Sequence, residues 1–193
     1  MAKIETWFPV AIYQESDVFS NDEHLRWVNH IDTIKQNIKS HGEDWYGGTY
    51  TTHGSHNIVN DPIFEKLIIE ITKHVNTFAN MHNSNSNYTC NHAWLNVAGS
   101  GNSQEFHTHD GSIFSAVYYI TAPEGSGKIV FEDPKAPDML PLRNIVNRNE
   151  LSFIRIGYDA IPGTLLIFRS YLRHMVEPGT NTTNRISVAL NFS

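Results

Sequence analysis

Two histidines one residue apart, His107 and His109 in QEFHTHDG, are spaced to grip a single ion. On an extended strand residues i and i+2 point to the same face, so both rings can approach one metal. A third nitrogen is offered by His174 in FRSYLRHMVEP, which opens a late strand after the Gly-initiated run GTLLIF. Imidazoles of this kind suit a first-row transition ion. Eleven residues beyond His174, Arg185 begins RISVALNF, where Arg185, Ser187, Ala189 and Asn191 alternate onto one strand face. A buried guanidinium binds a carboxylate through two parallel hydrogen bonds, and the Ser187 hydroxyl can donate a third. Taken singly, each residue has an ordinary explanation: there are eleven histidines to scatter over a surface and 20 acidic residues to pair with an arginine. Their joint order on successive strands is what points to one site.

These residues need a barrel to bring them together, and the second half of the chain is written as one. From residue 88 the runs YTCNHAWLNVA, FHTH, SIFSAVYYI, GKIVFED, GTLLIF, HMVEP and RISVALNF are each of strand length and separated by turn residues. No helix lies between them, which fits a parallel α/β sheet less well and predicts a mainly β fold, a double-stranded β-helix or jelly roll. The composition before residue 90 is helical. Ser20 and Glu23 have capping-box spacing, and Leu25, Val28, Ile31, Ile34 and Ile38 follow as an apolar stripe, predicting a helix over 21–39. Asp61 and Pro62 read as cap and first position of a second helix reaching about residue 80, its stripe formed by Phe64, Leu67, Ile68, Ile71, Val75 and Phe78. Both helices are expected to support the sheet. Residues 42–60, rich in Gly, Thr and aromatic rings, read equally as a hairpin or as a loop over the site. PKAPDMLP reads as a surface loop. His24, His30, His41, His53, His56, His74, His82 and His92 are taken as structural or surface residues, with His53 and His56 in the stretch that would cover the site.

The 193 residues, 40% of them hydrophobic, suit one domain, 1–193, with helical support over 1–87 and the β core over 88–193. The net charge of −6 with dispersed Lys and Arg gives no footprint for nucleic acid. A lone cysteine, Cys90, excludes internal disulfides and thiolate zinc sites and fits a reducing, cytoplasmic setting. No stretch has the length of a signal peptide core or membrane span.

The motif order HTH, VYYI, RHMVEP, RIS resembles that of the Fe(II)/2-oxoglutarate oxygenases over roughly residues 94–193. The resemblance is nearest to a little-characterised branch from bacteria and phages with an FEDP-like segment, whose architecture is similar to that of prolyl hydroxylases. It implies Fe(II) as cofactor, 2-oxoglutarate as co-substrate, molecular oxygen as reactant and a small molecule or peptide as substrate. It implies the cytoplasm, the host's if the gene is a phage's. It further implies that Tyr119, the second tyrosine of VYYI, contacts the co-substrate carboxylate beside Arg185 and Ser187. Asn191 then sits near the iron, and Asn96 comes from the strand before HTH.

One departure is evident. Most non-haem iron sites use two histidines and one carboxylate, the first two written His-x-Asp or His-x-Glu, and this chain has no such triplet. Three readings stand: His107, His109 and His174 together; Asp110 replacing His109 by way of a turn at Gly111; or His109 and His174 alone, with Gly111 at the carboxylate position. Two other classes compete with the oxygenase. A three-histidine cupin dioxygenase would need no keto acid and no Arg185, and a jelly-roll binding or structural module would leave the ion no open position.

Overall fold

The computed structural model describes residues 2–41, 47–140 and 142–193. Two antiparallel sheets are backed by two helices. The six-stranded sheet runs β1 (Ile12–Glu15), β8 (Leu165–Arg169), β5 (Phe114–Thr121), β10 (Arg185–Phe192), β3 (Cys90–Ala98), β2 (Tyr50–Thr51). The four-stranded sheet runs β4 (Gln104–His107), β9 (His174–Val176), β6 (Ile129–Glu132), β7 (Arg155–Tyr158).

Alternation along the large sheet decides which residues meet the helices. Ile186, Val188, Leu190 and Phe192 of β10, with Ala93, Leu95 and Val97 of β3 and Tyr118 of β5, join one apolar cluster with both helices. The odd members of β10, from Arg185 to Asn191, therefore face the other way, toward the small sheet. There Tyr119, Leu166 and Phe168 pack with Ile129 and Phe131, which seats the two sheets against each other.

The first helix, α1 (Asn21–Asn37), starts with the expected capping box of Ser20 and Glu23. Its buried face is Trp27, Ile31 and Ile34, and Leu25 is 63% exposed. The stripe is rotated because Trp27 takes the central place, its ring edge-on to Phe19 and Tyr118 and its Nε1 donating to Ile63 O at 3.0 Å. The second helix, α2 (Glu65–Met81), buries Leu67, Ile71, Val75 and Phe78 as its periodicity requires. It begins at Glu65 and not at Pro62: Asp61 Oδ1 accepts from Ile63 N at 2.9 Å and closes a separate turn. Nor do helices simply precede strands, since β1 comes first and pairs with β8. In the 42–60 stretch, residues 42–46 lie outside the described residues, and Tyr50 and Thr51 form an edge strand against Val97 and Asn96. No described helix is long and apolar enough to cross a membrane.

Candidate metal centre

Antiparallel pairing sets His107, at the end of β4, level with His174 at the start of β9. His109 lies two residues past the strand, its N–H donating to Ser170 O at 3.1 Å. One ligand atom from each of His107, His109 and His174 falls within 4.8 Å of the others, and among the described residues this is the one such group of metal-binding side chains. The His109 and His174 rings are 3° from parallel, with their Nε2 atoms 3.2 Å apart. Two nitrogens each about 2.1 Å from a shared ion, at roughly a right angle, would be about 3 Å apart.

The tautomers are fixed from behind. His107 Nδ1 lies 2.8 Å from Glu105 O and His174 Nδ1 2.9 Å from Leu172 O. A carbonyl only accepts, so each Nδ1 carries the hydrogen and each Nε2 keeps its lone pair for a metal. The rings are also held uncharged. Burial lowers the pKa of His107 and pushes His109 down to about 3, with repulsion from His107 and His53 adding to it. Burial, with His107 and His109 next, holds His174 well below its ordinary value. Three neutral imidazoles brought together in this way fit a divalent cation. Asp110 is placed elsewhere: it is exposed, Gly111 beside it makes a turn at φ 82°, and its Oδ1 accepts from Thr108 Oγ1 at 3.1 Å.

Arg185 lies on the same inner face. It is 5% exposed, its Nη1 donates to Gly127 O at 3.0 Å, and its buried Nε has no partner. Gly127 is required there, because a Cβ would stand 1.8 Å from Glu177 O. No acidic side chain among the described residues pairs with Arg185. A buried guanidinium without a counter-ion is costly and marks a place for an anion. Ser187 and Tyr119 are level with each other on β10 and β5, and both are buried. Burial raises the Tyr119 phenol to about 12, with Arg185 acting against the rise, so it stays a neutral donor. Ser187 is also level with Asn96 of β3. Asn191 reaches the metal end: its Oδ1 accepts from Ser115 Oγ at 2.8 Å, and its side chain hydrogen-bonds His109. Phe131 is level with His174, and Gly127 lies four residues back along the same chain.

The structure adds Trp94. Its ring stacks on His109 at 5.5 Å, and its Nε1 is buried without a partner although the side chain is 2% exposed. His53 and His92 stand edge-on and tilted against it at 4.8 and 5.0 Å. The alternation that puts Asn96 on the inner face puts Trp94 there too.

A family model described as putative 2OG-Fe(II) oxygenase matches residues 92–191, just over half of the chain and all of the residues above apart from His53. The chain belongs to that family, and its cofactors are Fe(II) and 2-oxoglutarate. Solved structures of the same fold include a prolyl-4-hydroxylase from Pseudomonas putida, at 13% identity, TM-score 0.65 and coverage of 95% of this chain and 92% of that one. Another is the viral collagen prolyl hydroxylase of Paramecium Bursaria Chlorella virus-1 in its 2OG complex, at 15% identity, TM-score 0.58 and 94% coverage of each. A third is the epimerase SnoN with Fe3+, alpha ketoglutarate and nogalamycin RO, at 10% identity, TM-score 0.68 and coverage of 95% and 78%. Among proteins of curated function, none matches the chain in sequence.

Proposed function

We propose that this chain is a single-domain Fe(II)- and 2-oxoglutarate-dependent dioxygenase that hydroxylates a substrate, with a prolyl or other peptide side chain as the first class to try. The observation that carries it is the pairing, on one inner face, of three neutral histidines with a buried arginine that has no counter-ion among the described residues. The strand order supports reading β3 to β10 as a double-stranded β-helix, since successive strands alternate between the two sheets except at the β6–β7 hairpin, where the chain turns back within the small sheet.

His107, His109 and His174 hold the metal through nitrogen lone pairs. Because none is charged, the ion's full positive charge is left for an anionic ligand to offset. Arg185 takes the distal carboxylate of the keto acid through its fork, Ser187 and Tyr119 add hydroxyl donors, and Asn96 and Asn191 orient groups nearer the metal. The bound cofactors supply oxidative decarboxylation of 2-oxoglutarate to succinate and carbon dioxide, coupled to oxidation of a substrate C–H bond. The wall of Trp94, His53 and His92 keeps water from one side of that centre and presents an indole N–H to the substrate. Two of the similar folds act on prolyl residues by name and a third on a small molecule, which is why the peptide reading needs its own test.

The test is succinate formation from 2-oxoglutarate under oxygen, with and without proline-containing peptides. Stimulation by a peptide that gains one oxygen atom supports the reading. Succinate without peptide stimulation moves the substrate to small molecules, and no 2-oxoglutarate turnover under any condition contradicts the oxygenase.

A further inference from the structure

The FED segment of β6 has no part in the chemistry above, yet it carries a buried carboxylate. Glu132 Oε1 accepts from Arg155 Nε at 2.9 Å and Arg155 Nη2 at 2.6 Å, and its Oε2 accepts from Arg173 Nη1 at 2.6 Å. The arginines hold its pKa below the ordinary carboxylate value. These groups form one row across the small sheet. Glu132 is level with Arg155 of β7, and its N–H donates to the carbonyl of Arg173, the residue just before β9, at 3.0 Å. The fourth strand joins through Phe106 of β4, whose ring lies 4.7 and 4.8 Å from the guanidinium carbons of Arg155 and Arg173.

Phe106 and Arg173 immediately precede His107 and His174. Successive strand residues point to opposite faces, so this row lies on the back of the sheet whose front carries two of the three imidazoles. The β4–β9 ladder that sets the spacing of those two histidines is short and irregular. Pairing between β4 and β9 shifts register between Gln104 and His107, and β9 is three residues long. A charged cross-strand clamp behind the two histidines supplies the constraint that the ladder lacks.

We propose that Glu132 is a positioning residue for the metal centre: by gathering Arg155, Arg173 and Phe106 it sets the spacing of His107 and His174. This rests on those histidines being the ligands. Co(II), a coloured stand-in for Fe(II), is titrated into the metal-free full chain as wild type, Glu132→Gln, Phe106→Leu and, as a charge control on α2, Glu70→Gln. Glu132→Gln is expected to weaken Co(II) binding about tenfold or more and to change the visible spectrum of the bound ion. Phe106→Leu moves both in the same direction by less, and Glu70→Gln stays within about twofold of wild type on the scale of exposed charges. A folded Glu132→Gln with wild-type affinity and spectrum overturns the proposal. If that variant does not fold, unchanged affinity and spectrum in Phe106→Leu overturns it instead. Failure of the ligand assignment looks different: wild type binds no Co(II), or His174→Ala binds it as well as wild type does.

Discussion

Arg185 is the residue on which the co-substrate reading depends most. Its guanidinium is buried, lowered in pKa by that burial, hydrogen-bonded through Nη1 to Gly127 O, and left without a partner at Nε. Losing one partner of a buried charge pair costs about 3–5 kcal/mol, so Arg185→Ala should weaken 2-oxoglutarate binding by at least a hundredfold while metal affinity changes little. Isothermal titration with each ligand separately checks it; equal loss of both would mean the arginine is structural. Trp94→Phe is a contrasting case. It keeps a ring against His109 and removes a buried N–H that has no partner, so thermal stability should hold or rise while substrate oxidation falls. A drop in stability with unchanged turnover would place the indole in packing alone. Most of the proposed site was legible because strand alternation and motif order reach His107, His109, His174, Arg185 and Ser187 without coordinates, and the family resemblance adds Tyr119. Trp94 obeys the same alternation, but a tryptophan two residues from Asn96 reads as core until its N–H is found unpaired. The three metal-ligand readings differ at a turn around Gly111 that spacing alone leaves open.

At the scale of elements, the helices hold the sheet's back face and thereby its front. Trp27 contacts Phe19, Phe64 and Tyr118, the last being the neighbour of Tyr119 on β5. Trp27→Ala should cost about 3–5 kcal/mol, read as a lower urea midpoint; a loss under about 1 kcal/mol would mean that α1 is held by its cap and not by this ring. Both helices were legible from 3.6-residue periodicity, with α1 rotated because Trp27, about 200° round the helix from Leu25, turns inward and leaves Leu25 exposed. Strands β1, β2 and β7 were not legible. β1 and β2 are short sheet edges, and Gly157 interrupts the exposed β7, so none carries the apolar alternation that marks a central strand. Each is defined by its partner, and a partner distant in sequence leaves no local signal.

For the molecule as a whole, the buried neutral histidines make stability depend on pH in a fixed direction. An unfolded imidazole takes its proton near pH 6.5, whereas folded His109 does so near 3 and His174 well below its ordinary value. The unfolded chain therefore binds more protons in that window. Stability should be complete above about pH 6.5 and fall progressively as the pH drops toward about 3. Urea midpoints of the metal-free protein at pH 7.5 and 5.5 separate this from Glu132, whose lowered pKa delays its contribution to more acidic solutions; equal midpoints would mean the rings are not held neutral. Because the metal ligands bring no negative charge, Fe(II) and 2-oxoglutarate should bind with positive coupling, each raising the other's affinity by the same factor.

Whether three histidines and Arg185 form one site for Fe(II) and a keto acid is decided by anaerobic Fe(II) titration with and without 2-oxoglutarate, followed by visible absorption. A weak band from the iron and keto-acid chelate is expected in wild type, with its loss in His174→Ala and a much higher 2-oxoglutarate requirement in Arg185→Ala. Fe(II) binding with no band at saturating 2-oxoglutarate would contradict it and favour a direct dioxygenase or a structural metal.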